Sequence, residues 1–339
     1  MQTKPILRIA TSHYHVGHIM PAMVAKERTY FEEEGLEDYE VVTGGLLPGM
    51  VEKIALRRAM KEKGIDIVAD AKPVTVFSHR RRGEDLFIVA SWRNHQHFRY
   101  FARKGLKSLK ELKGKRIGTR DIGGISYVAM RLHLKRTGLD PDRDVQWVRG
   151  SRYHLARMTA AEALREGDVD CVPVPKLAAE QLLAEGYSCV LDTSQLYPKG
   201  VPVRLIATTR RVLEEKGEAL EAYLRATIRA YWFIMDWEKN QGYLEALNRR
   251  LRRQSPDEEE QKLGPAELSN VLTFDGFPSV EGLKTVLEEA KEMGEVPSEA
   301  TVEEAIELEP AKRAYEILRR REELAPYLKR AQEICQRGH

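Results

Sequence analysis

Short β-rich runs alternate with helical patterns over the first ~200 residues of this 339-residue chain. The earliest strand-like runs are residues 6–10, 39–43, 65–69 and 86–91. Helical stretches at 19–34 and 49–63 separate them. Such alternation is typical of β-α-β crossover units, so it predicts an α/β lobe with a mainly parallel sheet.

A second group of alternating strand-like and helical runs follows. Its strand-like runs are 98–103, 116–119, 145–148, 169–174 and 189–192. Its helical runs, 126–137, 155–166 and 176–185, are each followed by a glycine, a common helix stop. One more strand, 203–208, precedes a region that is almost entirely helical from 211 to 337.

This order predicts two lobes. If strand 203–208 returns to the first sheet, the chain crosses between lobes twice, near 92–96 and near 193–201, and two crossings make a hinge above a cleft. We expect lobe 1 to contain residues 1–93 and 203–339, with the C-terminal helices, and lobe 2 to contain 94–202.

Composition excludes several classes of protein. With 55 basic against 52 acidic residues, the net charge of +3 is small, and a nucleic-acid binder with a basic face is not expected. The one dense basic run, 79–82, precedes a glycine and is interpreted as a surface turn. No apolar run approaches the ~18–20 residues of a membrane span, so no direct membrane insertion is expected.

The start of the sequence leaves the cellular location open. Residues 1–5 lead directly into the first strand, without an apolar signal region. The protein is therefore expected to be cytoplasmic, or periplasmic or otherwise extracytoplasmic if a signal segment has been removed.

The cysteines predict neither a disulfide framework nor a zinc site. Cys171, Cys189 and Cys335 are an odd number with no C-x-x-C spacing. Cys171 and Cys189 lie in apolar runs and are interpreted as small core residues. No nucleophile elbow, phosphate-binding loop or H-E-x-x-H motif occurs, so no cofactor, no metal and no catalytic residue is predicted.

Four ordered segments resemble the nitrate, sulfonate and taurine substrate-binding proteins, whose superfamily includes the thiamine-pyrimidine synthases. They are residues 23–36, with the ending F-E-E-E-G-L; 108–118, S-L-K-E-L-K-G-K-R-I-G; 134–145, ending in a Gly-Leu-Asp-Pro step; and 163–170, ending G-D-V-D. The resemblance covers about the first 245 residues. It implies a two-lobed type II periplasmic-binding-protein fold with a hinge, and a small-molecule ligand.

In this architecture ligands bind beyond the carboxyl ends of the strands. The candidate ligand-binding residues in the first lobe all follow predicted strands, and they are Ser12, His13, Tyr14, Gly45, Asp70, Lys72, Arg93, Asn94 and His95. Trp92 and Tyr14 could form flat walls for a ring, with packing as the alternative.

In the second lobe, Gly123 and Gly124 allow close approach of a ligand to the backbone, and Ser126 could cap the following helix, whose N-terminus favours anions. Arg149 and His154 follow the next strand. Arginine suits carboxylate, sulfonate or phosphate because it donates two parallel hydrogen bonds. Arg93 and Arg149 together favour an anionic ligand.

Six of the nine histidines fall in predicted strand-end loops. A His-x-His pair in a loop lacks the fixed geometry of a strong metal motif, so hydrogen bonding to a ligand or polar packing is favoured over metal binding.

Two functions lead, ahead of a weaker reading as a ligand sensor whose C-terminal helices, Glu303 to Arg337, dock on a partner. The first is a solute-binding protein that captures a small organic anion, such as a carboxylate, sulfonate or heterocycle, and delivers it to an ABC permease. The second is a cytoplasmic enzyme on the same fold, such as an aromatic-acid decarboxylase. His13 and Tyr14 stand where the resemblance implies a first-loop cysteine in desulfinases, which disfavours that chemistry.

Overall fold

The computed structural model describes residues 7–11, 16–42, 60, 64–81, 84–94, 98–119, 122, 124–149, 159–174, 176–193, 200–252, 268 and 271–337. The chain divides into two compact units. The first contains residues 1–95, 200–287 and 294–339, and the second contains 96–199 and 288–293. The segment 288–293, which the sequence analysis assigned to the first lobe, thus groups with the second unit.

The first unit is built on a five-stranded sheet in the order β2-β1-β3-β10-β4. Its strands are β1 (Leu7–Ala10), β2 (Tyr39–Val42), β3 (Ile67–Ala71), β4 (Leu86–Arg93) and β10 (Arg204–Thr209). β1 is parallel to β2 and β3, whereas β10 is antiparallel to both β3 and β4. The carboxyl ends of the four parallel strands and the amino end of β10 therefore share one edge.

The second unit carries another five-stranded sheet, in the order β7-β6-β8-β5-β9. Its strands are β5 (Arg99–Ala102), β6 (Arg116–Thr119), β7 (Gln146–Arg149), β8 (Cys171–Val174) and β9 (Ser188–Asp192). β6 is parallel to β7 and β8, and β5 is antiparallel to β8 and β9. Neighbouring Tyr100 and Phe101 enter two different apolar clusters, because successive side chains of a strand point to opposite faces.

The helices of the first unit precede and follow these strands. They are α1 (Val16–Glu27), α2 (Tyr30–Glu33), α3 (Pro73–Arg81), α7 (Arg210–Glu215), α8 (Gly217–Met235), α9 (Trp237–Arg252), α11 (Glu309–Arg319) and α12 (Ala325–Arg337). The second unit has α4 (Ile125–Arg136), α5 (Ala160–Glu166) and α6 (Lys176–Ala184), and α10 (Val280–Glu292) spans the boundary. Among the described helices, none is long and apolar enough to cross a membrane.

Helix α8 is the centre of the first unit's core. Most of its side chains are buried, including Tyr231 and Trp232, and they pack with the sheet residues Ile9 and Ile67 in one apolar cluster. The aromatic run 231–233 therefore belongs to the core. A helix that is apolar on nearly all sides is stabilised by burial between layers rather than by an amphipathic face.

Residues 271–279 form an irregular segment that lies along β4. The N–H of Thr273 donates to the Trp92 carbonyl at 3.1 Å, and the N–H of Ser91 donates to the Gly276 carbonyl at 2.7 Å. The Trp232 indole donates to the Phe274 carbonyl at 2.6 Å and ties the segment to α8. These bonds satisfy backbone groups that an edge strand would otherwise expose.

Two expectations from the sequence are wrong. The basic run near residue 80 continues helix α3 instead of forming a surface turn, and His79 within it is 2% exposed, with its Nδ1 against the Glu84 carboxylate. Cys189 is exposed and not a core residue, because its side chain lies on the outer strand β9.

Candidate functional site

Several residues predicted to contact a ligand lie outside the described part of the chain. They are Ser12, His13, Tyr14, Gly45, His95, Gly123 and His154. The others fall at the strand-end edges of the two sheets.

Three cationic residues lie on, or directly after, three neighbouring strands at the strand-end edge of the first sheet. Arg93 ends β4 and is paired in register with Arg204, which begins β10. On the other side of β10, Leu205 pairs with Ala71, so Lys72 follows β3 next to Arg204. We call Lys72, Arg204 and Arg93 the cationic row.

Arg204 is not among the residues predicted from the sequence. The prediction rests on the carboxyl ends of strands, whereas β10 is antiparallel and brings its amino end to the same edge. The predicted return of strand 203–208 to the first sheet was the signal that could have identified it.

Arg93 is the most buried member of the row, at 7% exposed. Strand β4 continues through Arg93, so this residue is part of the sheet and not of the predicted loop. Burial lowers the pKa of the Arg93 guanidinium to about 9, and the neighbouring charge of Arg204 contributes to the same effect. An anion placed against this pair would favour the charged form of both side chains.

Asp70 is also inside a strand. It is the fourth residue of β3 and is fully buried, whereas the sequence analysis placed it in a loop after the strand. Lys72, at the following strand end, is half-buried. The edge of the first sheet therefore combines a buried carboxyl group with the cationic row.

Asn94 uses its side chain to hold the segment along β4. Its Nδ2 donates to the Phe277 carbonyl at 2.6 Å, and its Oδ1 accepts the Ser279 N–H at 3.2 Å. Both ends of the amide are thus engaged, and the geometry supports a positioning role for Asn94 instead of the predicted ligand contact.

The strand-end edge of the second sheet contains the start of α4. Gly124 is the N-cap of this helix, and Ser126 lies within its first turn, so Ser126 is not the predicted cap. The Ser126 carbonyl accepts a hydrogen bond from the Tyr100 hydroxyl at 2.5 Å, which fixes the first turn of α4 to β5.

Two arginines lie at this edge of the second sheet. Arg149 ends β7, is exposed, and makes no ion pair with any residue in the described ranges. Arg99 begins the antiparallel strand β5 and donates from Nε to Asp192 at 3.0 Å. Arg99 was not predicted, for the same reason as Arg204, whereas Asp192 ends β9 and stands at the carboxyl end of a predicted strand.

The aromatic residues near these edges pack in the interior. Trp92 is 1% exposed, and Tyr127 is 5% exposed with its ring 4.5 Å from that of Trp147. Of the two readings left open from the sequence, core packing is therefore the correct one for Trp92.

The cysteines are poor nucleophiles. Burial raises the pKa of the Cys171 thiol far above its usual range and the pKa of Cys335 to about 11. The residue Cys189 is exposed, but partial desolvation of its sulfur and the charge of Asp192 raise its pKa as well. Within the described ranges, no three His, Cys, Asp or Glu side chains are grouped closely enough to hold a metal ion.

Solved structures similar to this one include periplasmic sulfonate-binding proteins. The periplasmic sulfonate-binding protein SsuA of Methylobacillus flagellatus aligns with a TM-score of 0.68 and 16% identity, over 94% of this chain and 96% of its own. The alkanesulfonate-binding protein SsuA of Xanthomonas axonopodis pv. citri, bound to MOPS, aligns with a TM-score of 0.60 and 16% identity. The alignment covers 90% of this chain and 99% of that protein.

An enzyme shares the same fold. The desulfurization enzyme DszB aligns with a TM-score of 0.61 and 13% identity, over 93% of this chain and 99% of its own. Identities this low show a common fold and not a common ligand or reaction. The predicted periplasmic-binding-protein fold is confirmed.

Sequence comparison defines the family more directly. No curated protein sequence matches the chain significantly. Residues 17–239, well over half of the chain, match the family described as NMT1/THI5 like. This confirms the predicted relationship to the nitrate, sulfonate and taurine binding proteins, and the chain belongs to the NMT1/THI5-like family.

Proposed function

We propose that this protein binds a small organic anion and delivers it to an ABC permease. The observation that carries the proposal is the cationic row, in which three positive side chains share one edge of the first sheet. Structural similarity to sulfonate-binding proteins supports a solute-binding role on this fold.

The chemistry of the row suits an oxyanion. Arg93 and Arg204 each offer a planar fork of N–H donors, which matches two oxygens of a carboxylate, sulfonate or phosphonate. Arg93 is held in place by the β-sheet, since its carbonyl accepts the Val203 N–H at 2.8 Å. The backbone from which this side chain extends is therefore fixed, and the burial of the side chain reduces the conformational entropy that it can lose when a ligand binds.

Delivery to a permease requires the protein to lie outside the cytoplasm, so the proposal includes an extracytoplasmic location. Fluorescence microscopy of the protein expressed in its native host with a C-terminal tag would test it. A cytoplasmic signal would contradict the transport role and leave ligand binding intact.

The direct experiment is isothermal titration calorimetry against carboxylates, sulfonates and phosphonates, for the wild type and for Arg204→Gln. We expect the substitution to weaken binding by roughly 2 kcal/mol, because a charge-assisted hydrogen bond is lost. Arg249→Gln is the control, since Arg249 is an exposed residue of α9 that pairs only weakly with Glu245 at 3.7 Å. Equal affinities in all three proteins would contradict the proposed anion site.

A second candidate is an enzyme that acts on a similar anion, and the structural similarity to DszB favours it. The raised cysteine pKa values disfavour thiolate catalysis, so decarboxylation by proton transfer is the better alternative. Mass spectrometry of bound ligands after incubation separates the two functions. An unchanged ligand supports binding and transport, and loss of carbon dioxide or sulfite supports catalysis.

A further inference from the structure

We propose that residues 103–116 of the second unit, which we call the basic segment, bind the anionic surface of a phospholipid membrane. This inference goes beyond the proposed function and does not depend on which ligand the first sheet receives. The segment overlaps the motif at 108–118, whose lysines have no part in the proposed anion site.

Positive charge is concentrated in the basic segment. It contains one acidic residue, Glu111, and seven basic residues, which are Arg103, Lys104, Lys107, Lys110, Lys113, Lys115 and Arg116. The whole chain carries 55 basic and 52 acidic residues, so the segment contributes +6 to the formal charge and the rest of the chain contributes −3. The net charge of +3 therefore conceals a strong local asymmetry.

Three leucines fix the segment to the second unit. Leu106, Leu109 and Leu112 recur at every third position and pack in one apolar cluster. The centre of the segment is a 3-10 helix, Leu109–Leu112, in which residues three apart lie on the same side. Lysines recur with the same spacing one position later, at 107, 110 and 113, and all three are exposed. Packing of the leucines thus holds this row of lysines towards solvent.

Some of the positive charge is paired within the second unit. Arg103 and Arg116 share the buried Asp170 at 2.9 and 3.1 Å, and Lys113 pairs with Asp144 at 3.1 Å. Among the residues that the structure describes, no ion pair is formed by the other four lysines, which are Lys104, Lys107, Lys110 and Lys115.

Nearby acidic groups reduce the charge of the segment without cancelling it. In the described ranges, the acidic groups that contact it or act on its charges are Glu111, Asp144, Asp168, Asp170 and Glu185. Glu185 is itself paired with Arg165 at 2.7 Å. With these five acidic residues set against the seven basic residues and Arg165, a formal charge of +3 remains on this surface.

The exposed side chains favour a lipid surface over a protein partner. Lysine is depleted at protein interfaces, where buried Trp, Tyr and Arg side chains contribute most of the binding energy. The leucines of the segment face inward, and it exposes no large apolar side chain. An anionic membrane requires only positive charge close to its surface, and each basic residue there strengthens binding by about fivefold.

Cosedimentation with sucrose-loaded vesicles tests the proposal. Vesicles of phosphatidylcholine alone are compared with vesicles that contain about 30% phosphatidylglycerol, the anionic lipid. We expect the protein to sediment with the anionic vesicles at about 50 mM salt and to be released at about 500 mM, because salt screens the attraction between exposed charges. It should not sediment with the neutral vesicles.

A triple variant locates the binding surface. Lys104→Gln/Lys107→Gln/Lys110→Gln should weaken binding to the anionic vesicles by about 100-fold, since three contributions of about fivefold are lost. The matched control replaces Lys239, Lys284 and Lys312, exposed lysines of the first unit, by glutamine. It removes the same charge from the chain and should bind like the wild type.

Arginine substitutions separate charge from side-chain shape. Lys104→Arg/Lys107→Arg/Lys110→Arg should retain binding, because the attraction to a lipid surface depends on charge and not on a particular donor geometry. Melting curves without vesicles show which variants remain folded.

Three results would overturn the proposal. The first is that the wild type does not bind anionic vesicles, and the second is that the two glutamine variants bind equally well. The third is sedimentation with native membranes that keep their proteins, but not with vesicles made from the lipids of those membranes, which would assign the segment to an acidic protein surface. None of these results affects the anion site of the first unit, which calorimetry tests separately.

Discussion

Arg131 and Glu289 form an ion pair inside the second unit, with Nε 3.1 Å from the carboxylate and both side chains 2% exposed. Arg131 also donates to Asp142 at 2.5 and 2.9 Å and to the Tyr127 hydroxyl at 3.2 Å. The network joins segment 288–293 to helix α4.

Arg131→Met removes one of the two cations that contact the buried Glu289 carboxylate, the other being Lys135. The lost hydrogen bonds leave a buried carboxylate oxygen without its donor, so we expect the substitution to destabilise the protein by about 1–3 kcal/mol, measured by urea unfolding followed by circular dichroism. Arg143→Ala is the control, because Arg143 is 88% exposed and lies 3.7 Å from Asp140. A variant at Arg131 as stable as this control would show that the network contributes nothing.

Glu34 makes the stability of the first unit depend on pH. Its buried carboxylate accepts hydrogen bonds from Arg225 at 2.9 Å, Arg229 at 2.7 Å and Arg321 at 2.7 and 2.9 Å. Burial alone would raise the pKa of Glu34, but the hydrogen bonds from Arg321, Arg229 and Arg225 outweigh it, and the pKa lies below its ordinary value of 4.5.

A lowered carboxyl pKa stabilises the folded state above the unfolded-state pKa, and this stabilisation is lost as the pH falls through the folded-state pKa. Wild type should therefore exceed Glu34→Gln in stability by roughly 3 kcal/mol near neutral pH, and the difference should shrink below about pH 4.5. Thermal unfolding at a series of pH values measures it. A difference that stays constant into acid would exclude titration of Glu34 as the cause.

The order of the strands, and their ends to within two residues, were predictable from the sequence because hydrophobic runs and glycine stops mark the elements of an α/β fold. Gly167, for example, has φ +82° directly after α5, a conformation that glycine adopts without strain. Strand direction was not predictable, since an apolar run reads the same in a parallel and an antiparallel strand. Arg204 and Arg99 were missed for that reason.

The roles of individual side chains at the edges were less predictable than their positions. Asn94 follows a strand, as a ligand-contacting residue would, but its amide bonds to residues more than 180 positions later in the chain. Asp70 lies in a strand that continues two residues beyond its predicted end. Both outcomes depend on long-range contacts that no local pattern encodes.

The thiols should react in an order set by exposure. Cys189 is exposed and Cys171 is buried with a strongly raised pKa. Alkylation with iodoacetamide at about pH 8, followed by peptide mass spectrometry, should modify Cys189 in the folded protein and Cys171 only after unfolding. Cys189→Ser should remove the fast phase, and rapid labelling of folded Cys171 would contradict its burial.

Gly282 marks a close contact between helix α10 and the chain that returns to the first unit. A Cβ atom on Gly282 would lie 2.3 Å from the Gly200 carbonyl oxygen and 2.7 Å from Cδ of Pro202, and the first of these atoms belongs to the backbone. Gly282→Ala must therefore shift backbone, and we expect it to destabilise the protein by about 1–3 kcal/mol in urea unfolding.

Gly242 supplies a matched control for this substitution. It lies within helix α9, and a Cβ atom there would meet nothing within 4 Å. Gly242→Ala should stabilise the protein by about 0.5–1 kcal/mol, because alanine loses less backbone entropy in a helix. Opposite signs for the two substitutions would show that the contact at Gly282, and not helix propensity, decides the effect. Stabilisation by both would mean that α10 and residues 200–202 do not approach each other this closely.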